Sequence, residues 1–414
     1  MRPRNSVTSR RRPQIQQQQM QLGRKHKPDY WLLIWCAALM SIGLIVVYAI
    51  SPALAITNNV SSNYYVDKQL IAIALSLVAF AITAKVPLKT WRQAYKPLLI
   101  IAGLATLLAL LLPVNPLYPA HRWVRLGSFS FQSVELVKFA GMLWIAGFLA
   151  ERIQTDTIRS IRKTFKPLLV ALLAMGVIVA GVQSDLGSTG VLVIMMGTMA
   201  FVAGLPMGRV VLIAGAVVIG LILAISATPY RRARLETFLH PDSNCQGSGY
   251  QACQSLISVG SGGIVGLGLG NSVQAYGYEP EAANDSIFAI YAEKFGFVGT
   301  IILLAIFGFF FTRLKTIAER LPDNFSRLLV IGVLAWFSTQ ALINIGGMVG
   351  LLPLKGITLP FISYGGTSVV FSAAAVGLVF QASQYTSYSA PRITTNDPDD
   401  QRRNYRDNTL RRPS

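Results

Sequence analysis

Ten apolar runs constrain this 414-residue chain more than any other feature. They fall near 30–51, 69–86, 97–114, 134–151, 167–184, 186–204, 208–227, 287–312, 328–350 and 366–384. A helix crossing a bilayer needs about 20 mostly apolar residues, and these runs approach or exceed that length. Only 13% of the residues are charged, against about 25% in a soluble domain. Gly, Ser and polar residues inside several runs suit helices packed on one another. A membrane barrel would show a series of short alternating strands, and the sequence has none. The expected fold is an all-α polytopic membrane protein, a bundle of about ten transmembrane helices with a large extracytoplasmic loop. Its expected limits are 29–386, between basic disordered tails at 1–28 and 387–414 that should both face the cytoplasm.

The charge pattern sets the orientation. Most of the 37 Lys and Arg fall in the two tails and in alternate loops, while seven fall in the other set: Lys68, Arg122, Arg125, Arg231, Arg232, Arg234 and Lys355. Basic loops stay in the cytoplasm, and an even number of spans then returns the C-terminus to the same side. The net charge of +19 is mostly this orientation signal, and the anionic inner leaflet is its natural partner. No aromatics interleave the basic residues as a nucleic-acid face would require. The first run is too long for a cleaved signal and reads as a signal anchor.

The informative residues lie in three outside segments, 115–133, 228–286 and 351–366. Long loops in a compact protein are uncommon and often functional. Arg122 and Arg125 flank Trp123; they meet either phosphate or lipid headgroups. Glu135 and Lys138 share a helix face inside a span, as a functional site or as a packing ion pair. Asp185 stands at the start of the sixth run. It either caps that helix or binds a cation or a sugar hydroxyl. Cys245 and Cys253 share one outside loop, as a short disulfide in an oxidising compartment or as two thiols. Cys36 lies in the first span, and no Cys/His set has zinc spacing. The glycines from Gly260 to Gly270 suit a loop that re-enters the bundle, because glycine permits close backbone approach. After them, "YEPEAANDSIFAIYAEKFG" gathers Glu279, Glu281, Asp285 and Glu293 in a chain with only 18 acids. Asn284 or Asp285 can cap the eighth span; Asp285 can equally be a reactive carboxylate at its outer mouth.

Four stretches carry a resemblance: "HRWVRLGSFSFQSVELVK", "QSDLGST", "GYQACQSLISVGSGGIVGLGLGNSVQAYGYEPEAANDSIFAIYAEKFGFVG" and "INIGGMVGLLPLKGITLPFISYGGTS". Together they span about residues 120–370 and resemble the SEDS family, the polytopic FtsW and RodA proteins of bacterial wall synthesis. "GLGNSVQ" is more similar to the FtsW branch. The family pattern has Pro-Ser where this chain has Ser133 and Val134, Pro at Ser184, and His-Thr-Asp-Phe at Ala283–Ser286; the aspartate is kept and its neighbours are not.

The resemblance implies a ten-span enzyme of the bacterial inner membrane that polymerises lipid II into glycan strands at the division septum. It also implies a class B penicillin-binding protein and other divisome proteins as partners. Asp285 corresponds to the family's proposed catalytic residue. A RodA-like elongation role, a lipid-linked precursor flippase and a non-catalytic scaffold are the alternatives. In the polymerase, a base within about 3 Å must take the proton of a sugar hydroxyl, and Asp285 is that candidate. Arg122, Arg125, Lys355 and the deeper Lys138 are the cations for the pyrophosphate. Glu135, Asp185, Gln254 and Ser261 complete the expected substrate-binding set. A divalent cation, Mg2+ or Mn2+, can share the phosphate, since magnesium commonly binds phosphates plus one or two carboxylates.

Overall fold

The computed structural model describes residues 25–112, 123–126, 129–226, 228–240, 245–247 and 249–387. Twelve α-helices and one hairpin make up the described fold. The helices are α1 Tyr30–Asn58, α2 Tyr64–Lys85, α3 Leu88–Leu111, α4 Ser133–Gln154, α5 Lys166–Gly176, α6 Leu186–Val202, α7 Met207–Ser226, α8 Pro229–Leu239, α9 Tyr250–Ser261, α10 Ile287–Arg320, α11 Asn324–Met348 and α12 Gly366–Ser383. Strands β1 Trp123–Leu126 and β2 Phe129–Gln132 pair antiparallel. π-helical turns at Ile161–Phe165 and Val177–Val182 extend α5 at both ends.

Each of the ten apolar runs coincides with a helix. Among the described residues eight helices are long and apolar enough to cross a membrane, counting α5 with its flanking turns, and two shorter apolar stretches, Leu186–Val202 and Met207–Gly220, lie in α6 and α7. The chain is a multi-pass membrane protein. Helices α4, α11 and α12 bury most of their side chains and form the centre, whereas α2 and α3 bury few of theirs. The exposed faces carry Leu70, Ile71, Leu75, Ile100 and Leu104, as a lipid-facing rim requires. Helix α2 lies close along α12. A Cβ on Gly377 would sit 2.0 Å from Thr83 Oγ1 and 2.7 Å from the Phe80 carbonyl, so only glycine allows that approach.

Three local features differ from the sequence expectation. The segment 123–132 forms a hairpin, with Leu126 opposite Phe129 and Trp123 opposite Gln132. Its pattern, Val124 and Leu126 then Phe129 and Phe131 around Gly127-Ser128, is a two-residue hairpin signal. The outside segment 228–286 is not one loop, because it contains α8 and α9. The eighth span is broken, since Gly296 has φ 63°, ψ −164° inside α10. Most of the expected tails, 1–24 and 388–414, lies outside the described residues. Residues 25–28, expected to be tail, include His26, whose N–H donates to the Gln384 carbonyl at 2.9 Å.

Candidate active site

The break in α10 is where the glycine-rich loop meets the helix. In a continuous helix the N–H groups of Phe297 and Val298 would bond to the carbonyls of Glu293 and Lys294. Instead they donate to Gly263 (2.9 Å) and Ile264 (3.0 Å), while Leu267 and Gly268 donate to Glu293 (2.9 Å) and Lys294 (3.0 Å). The glycine-rich loop thus replaces the helix's own hydrogen bonds, which is how non-helical backbone survives at membrane depth. The approach leaves no room for a side chain. A Cβ on Gly266 would lie 2.2 Å from the Lys294 carbonyl, and one on Gly296 2.3 Å from the Gly266 nitrogen. The backbone angles of Gly296 belong to a region that is essentially glycine's alone.

Two charged side chains lock the loop. The Glu293 carboxylate, fully buried, accepts from Ser272 Oγ at 2.6 Å and from the Val273 N–H at 2.9 Å. Lys294 Nζ donates to the Leu269 carbonyl at 2.6 Å. Of the four acids Glu279, Glu281, Asp285 and Glu293, the last is therefore an anchor. Glu279 is buried as well and accepts from Ser255 Oγ on α9 at 2.8 Å. Burial pushes its carboxyl up to about 7, against the lowering effect of the Ser286 and Ser255 hydroxyls, and nearby Glu293 adds to the rise. Glu281 accepts from Asn284 Nδ2 at 2.5 Å on the exposed side.

Asp285 remains at the mouth, half-buried, just before the buried half-helix 287–295. The residue at the cap position of α10 is Ser286, so neither Asn284 nor Asp285 occupies it. The third outside segment clasps the two residues before Asp285. Tyr364 N–H donates to the Ala283 carbonyl (2.8 Å) and Ser363 Oγ to the Asn284 carbonyl (2.6 Å). Asn344 Nδ2 on α11 donates to the Asp285 carbonyl and to the Ile357 carbonyl, both at 2.7 Å. Five successive residues, from Ala283 to Ile287, thus have their main chain set by elements distant in sequence or by the helix itself.

On the other side of that clip stands a group of cations. Lys355 is two residues from Ile357, hence within about 7 Å along the chain. Arg231 and Arg234, three apart on α8, share a helix face and donate to the carbonyls of Ala180 (3.1 Å) and Leu354 (3.3 Å). Burial holds the Lys355 ammonium below the usual lysine range; the Arg234 and Arg231 charges lower it further, and Asp185 opposes them. Asp185 itself caps α6, with Oδ1 accepting from the Ser188 N–H and Oδ2 from Ser188 Oγ, both at 2.9 Å. Its charge therefore serves the helix and the cation cluster together. Arg231 and Arg234 are the residues that sequence reasoning passed over. The available signal was their i, i+3 spacing just after Pro229, which favours the first turn of a helix.

Glu135 and Lys138 lie deeper, almost fully buried, with Nζ 2.7 Å from Oε1. Lys138 also donates to Gln340 Oε1 at 3.0 Å and lies 5.0 Å from the centre of the Trp336 ring. Gln340 then donates to the Thr358 carbonyl at 2.9 Å. The pair so ties α4 through α11 to the loop that clasps the two residues before Asp285.

Other expected residues fall differently. Arg122 lies outside the described residues, and of Arg125 only the main chain in β1 is described. Gln254 is half-buried on α9; the α9 amide that reaches the Asp285 segment is Gln251, which donates to Ser286 Oγ at 3.2 Å. Ser261 is exposed and donates back to the Ser258 carbonyl at 2.9 Å. Cys245 and Cys253 are joined by a disulfide that ties the approach to α9 onto its first turn. Among the described residues no three Cys, His, Asp or Glu side chains gather as a metal cage.

The comparisons with known proteins agree with this architecture. The model of the FtsW/RodA/SpoVE family, described as cell cycle protein, matches residues 30–388. The chain belongs to the FtsW/RodA/SpoVE family. It is 39% identical over 361 residues to a probable peptidoglycan glycosyltransferase FtsW of Saccharophagus degradans, covering 85% of this chain and 92% of that one. Stage V sporulation protein E of Bacillus subtilis is 35% identical, with 88% and 99% covered. Among solved structures, a chain from a peptidoglycan synthase complex that coordinates polymerization and crosslinking superposes with TM-score 0.70 at 25% identity, covering 86% of this chain and 97% of that one. In FtsW/RodA/SpoVE terms, the break in α10, the glycine loop and the 351–366 clasp all fall inside the matched region.

Proposed function

We propose that this chain is an FtsW-type peptidoglycan glycosyltransferase that polymerises lipid II on the outer face of the inner membrane during septal wall synthesis. Both termini lie in the cytoplasm, as the basic tails and alternate basic loops require. The observation that carries the reading is the Asn344 clip: it holds the main chain of Asp285 and that of Ile357 side by side, at 2.7 Å each, with Lys355 just beyond. A carboxylate and a cation cluster thus flank one rigid point at the mouth of the bundle.

The chemistry follows from that placement. The Asp285 carboxylate takes the proton from the 4-hydroxyl of the acceptor sugar as its oxygen attacks C1 of the donor. The bond from O4 to C1 forms while the bond from C1 to the pyrophosphate oxygen breaks, and the leaving pyrophosphate takes the electron pair. Lys355, Arg231 and Arg234 stabilise the charge that develops there, and Arg122 and Arg125 are the further cations that the sequence offers. An α-linked donor then gives a β-linked strand in one inverting displacement. Glu135 and Lys138 act at a distance, by holding α4, α11 and the 358 loop. Asp285 and substrate phosphates are the groups that would hold a divalent cation, which supplies further positive charge at the phosphate. The polymer made here needs crosslinking, so a class B penicillin-binding protein is the partner; its fit is supported by the likeness to a synthase complex in which polymerization and crosslinking are coordinated.

The test is glycan length from lipid II, made by purified protein with its penicillin-binding partner. Asp285→Asn keeps size and should fold and bind the partner, yet polymerise about 10²–10⁴-fold more slowly, the usual weight of general-base catalysis. Glu281→Gln, on the exposed side of the same turn, should stay near wild type. Near-normal polymerisation by Asp285→Asn would move the base elsewhere, with Asp185 next in line.

A further inference from the structure

We infer that a notch between the inner ends of α1, α10 and α12 binds the phosphate of an anionic phospholipid, whose acyl chain lies along an aromatic ladder above it. The inference rests on the proposed orientation only in placing this notch at the inner leaflet. The notch exists because the two ends of the folded chain are bonded together. His26 N–H donates to the Gln384 carbonyl (2.9 Å), Asp29 N–H to Ser383 Oγ (2.9 Å) and Ser387 N–H to the Arg320 carbonyl (2.8 Å). Between these ties a cavity opens, lined among others by Lys27, Asp29, Trp31, Arg313, Ile317 and Arg320.

Among the described residues the lining is cationic. Their one acid, Asp29, is engaged twice: Oδ2 lies 2.6 Å from Arg313 Nε, and Oδ1 accepts from the Trp31 N–H at 3.1 Å as the cap of α1. Lys27, Arg313 and Arg320 thus outnumber it, which suits an anion. Basic pockets between helices on the cytoplasmic side are where anionic headgroups bind. The surface above the notch is the second observation. Trp31 stacks on Trp35 at 6.4 Å, and Trp35 on Phe309 at 5.0 Å. Trp35 is one turn deeper than Trp31 on α1, and Phe309 one turn deeper than Arg313 on α10. Trp31, Ile34 and Phe309 are exposed. A polar notch therefore continues into an apolar strip that runs toward the bilayer centre. That shape fits a small anionic head with a hydrocarbon chain; a free phosphate ion would use only its lower end.

The experiment uses the full-length protein in nanodiscs and phospholipids brominated on the acyl chain, which quench tryptophan on contact. The ladder's share is the signal lost in Trp31→Phe/Trp35→Phe. Brominated phosphatidylglycerol should quench that share at a lower mole fraction than brominated phosphatidylcholine, by about five-fold for each cation engaged, the equivalent of about 1 kcal/mol per basic residue at an anionic surface. Lys27→Gln/Arg320→Gln should remove the preference and leave quenching by phosphatidylcholine unchanged. Equal quenching by the two wild-type series overturns the inference without any variant, and so does a preference that survives the double substitution. Equal quenching by the two series, together with a tryptophan signal that responds to millimolar inorganic phosphate, would identify the notch as a site for the free anion and also overturn it.

Discussion

The side-chain amide of Asn344 donates to the main-chain carbonyl of Asp285 at 2.7 Å, from a position that is itself almost fully buried. Its other donor contact, to the Ile357 carbonyl, has the same length. One amide therefore sets the relative position of the acidic turn and the loop that carries Lys355. Asn344→Ala strands two carbonyls, each costing about 1–3 kcal/mol when buried without a partner. The expected result is a lower melting temperature together with a fall in kcat that exceeds the change in lipid II KM, since the reacting groups are misplaced rather than removed. Unchanged kcat in a folded Asn344→Ala protein would mean that the clip only stabilises.

The Glu135–Lys138 pair makes a different prediction. Both groups are buried, and the 2.7 Å contact is backed by Gln340 and the Trp336 ring. Removing one partner leaves a buried charge, at a cost of about 3–5 kcal/mol. Glu135→Ala and Lys138→Met should each reduce folded yield, read by size-exclusion chromatography and thermal melting in detergent. The double replacement Glu135→Gln/Lys138→Met removes both charges and should recover most of the loss in yield. A double variant no better folded than either single one would show that the charges matter for something other than each other.

How much of this was legible in the sequence depended on the range of the interaction. The spans were legible because apolar length is a local property, and all ten runs coincide with helices. The Glu135–Lys138 pairing was legible because a spacing of three fixes a shared face. The break at Gly296 was not, because one glycine in an apolar helix is tolerated as often as it breaks one; only the loop at Gly263–Gly268, some thirty residues earlier, decides the matter by taking over the hydrogen bonds. The part played by Arg231 and Arg234 was hidden for the same reason. Their approach to Lys355 bridges more than a hundred residues, and a single chain shows no trace of it. The small hairpin was legible in principle from its alternation, yet ten apolar runs drew the reading toward helices.

Glu279 gives a pH signature. Burial lifts its carboxyl to about 7 from an ordinary value of 4.5. Between those values the native protein holds a proton that the unfolded chain releases. Stability from this group is therefore complete below about 4.5, declines as pH rises through about 7, and is flat beyond. Glu279→Gln cannot titrate, so its melting temperature should gain on wild type across that interval and then hold a constant lead. Glycan synthesis at neutral pH should change little, because the Gln amide oxygen can still accept from Ser255 on α9. A melting difference that is independent of pH would show that the carboxyl titrates normally.

Lys355 ought to separate stability from activity. Burial and two guanidinium groups disfavour its charge in the resting protein, and Asp185 offsets them only in part. On the proposed mechanism, a pyrophosphate entering the cluster reverses that balance, because it brings negative charge to three cations at once. Lys355→Met keeps the length of the buried stem and removes the charge. Relief of repulsion from Arg231 and Arg234 should leave its melting temperature equal to or above wild type. Polymerisation should nevertheless fall by about 10²-fold in kcat, the loss seen when one donor to a developing anion is removed. Lys355→Arg restores charge and should recover part of it. If instead KM for lipid II rises while kcat holds, Lys355 binds the ground state and transition state equally and adds only affinity. If Lys355→Met melts lower than wild type and polymerises normally, the cluster is a structural feature of the 351–366 loop, and Arg122 and Arg125 become the candidates for the pyrophosphate.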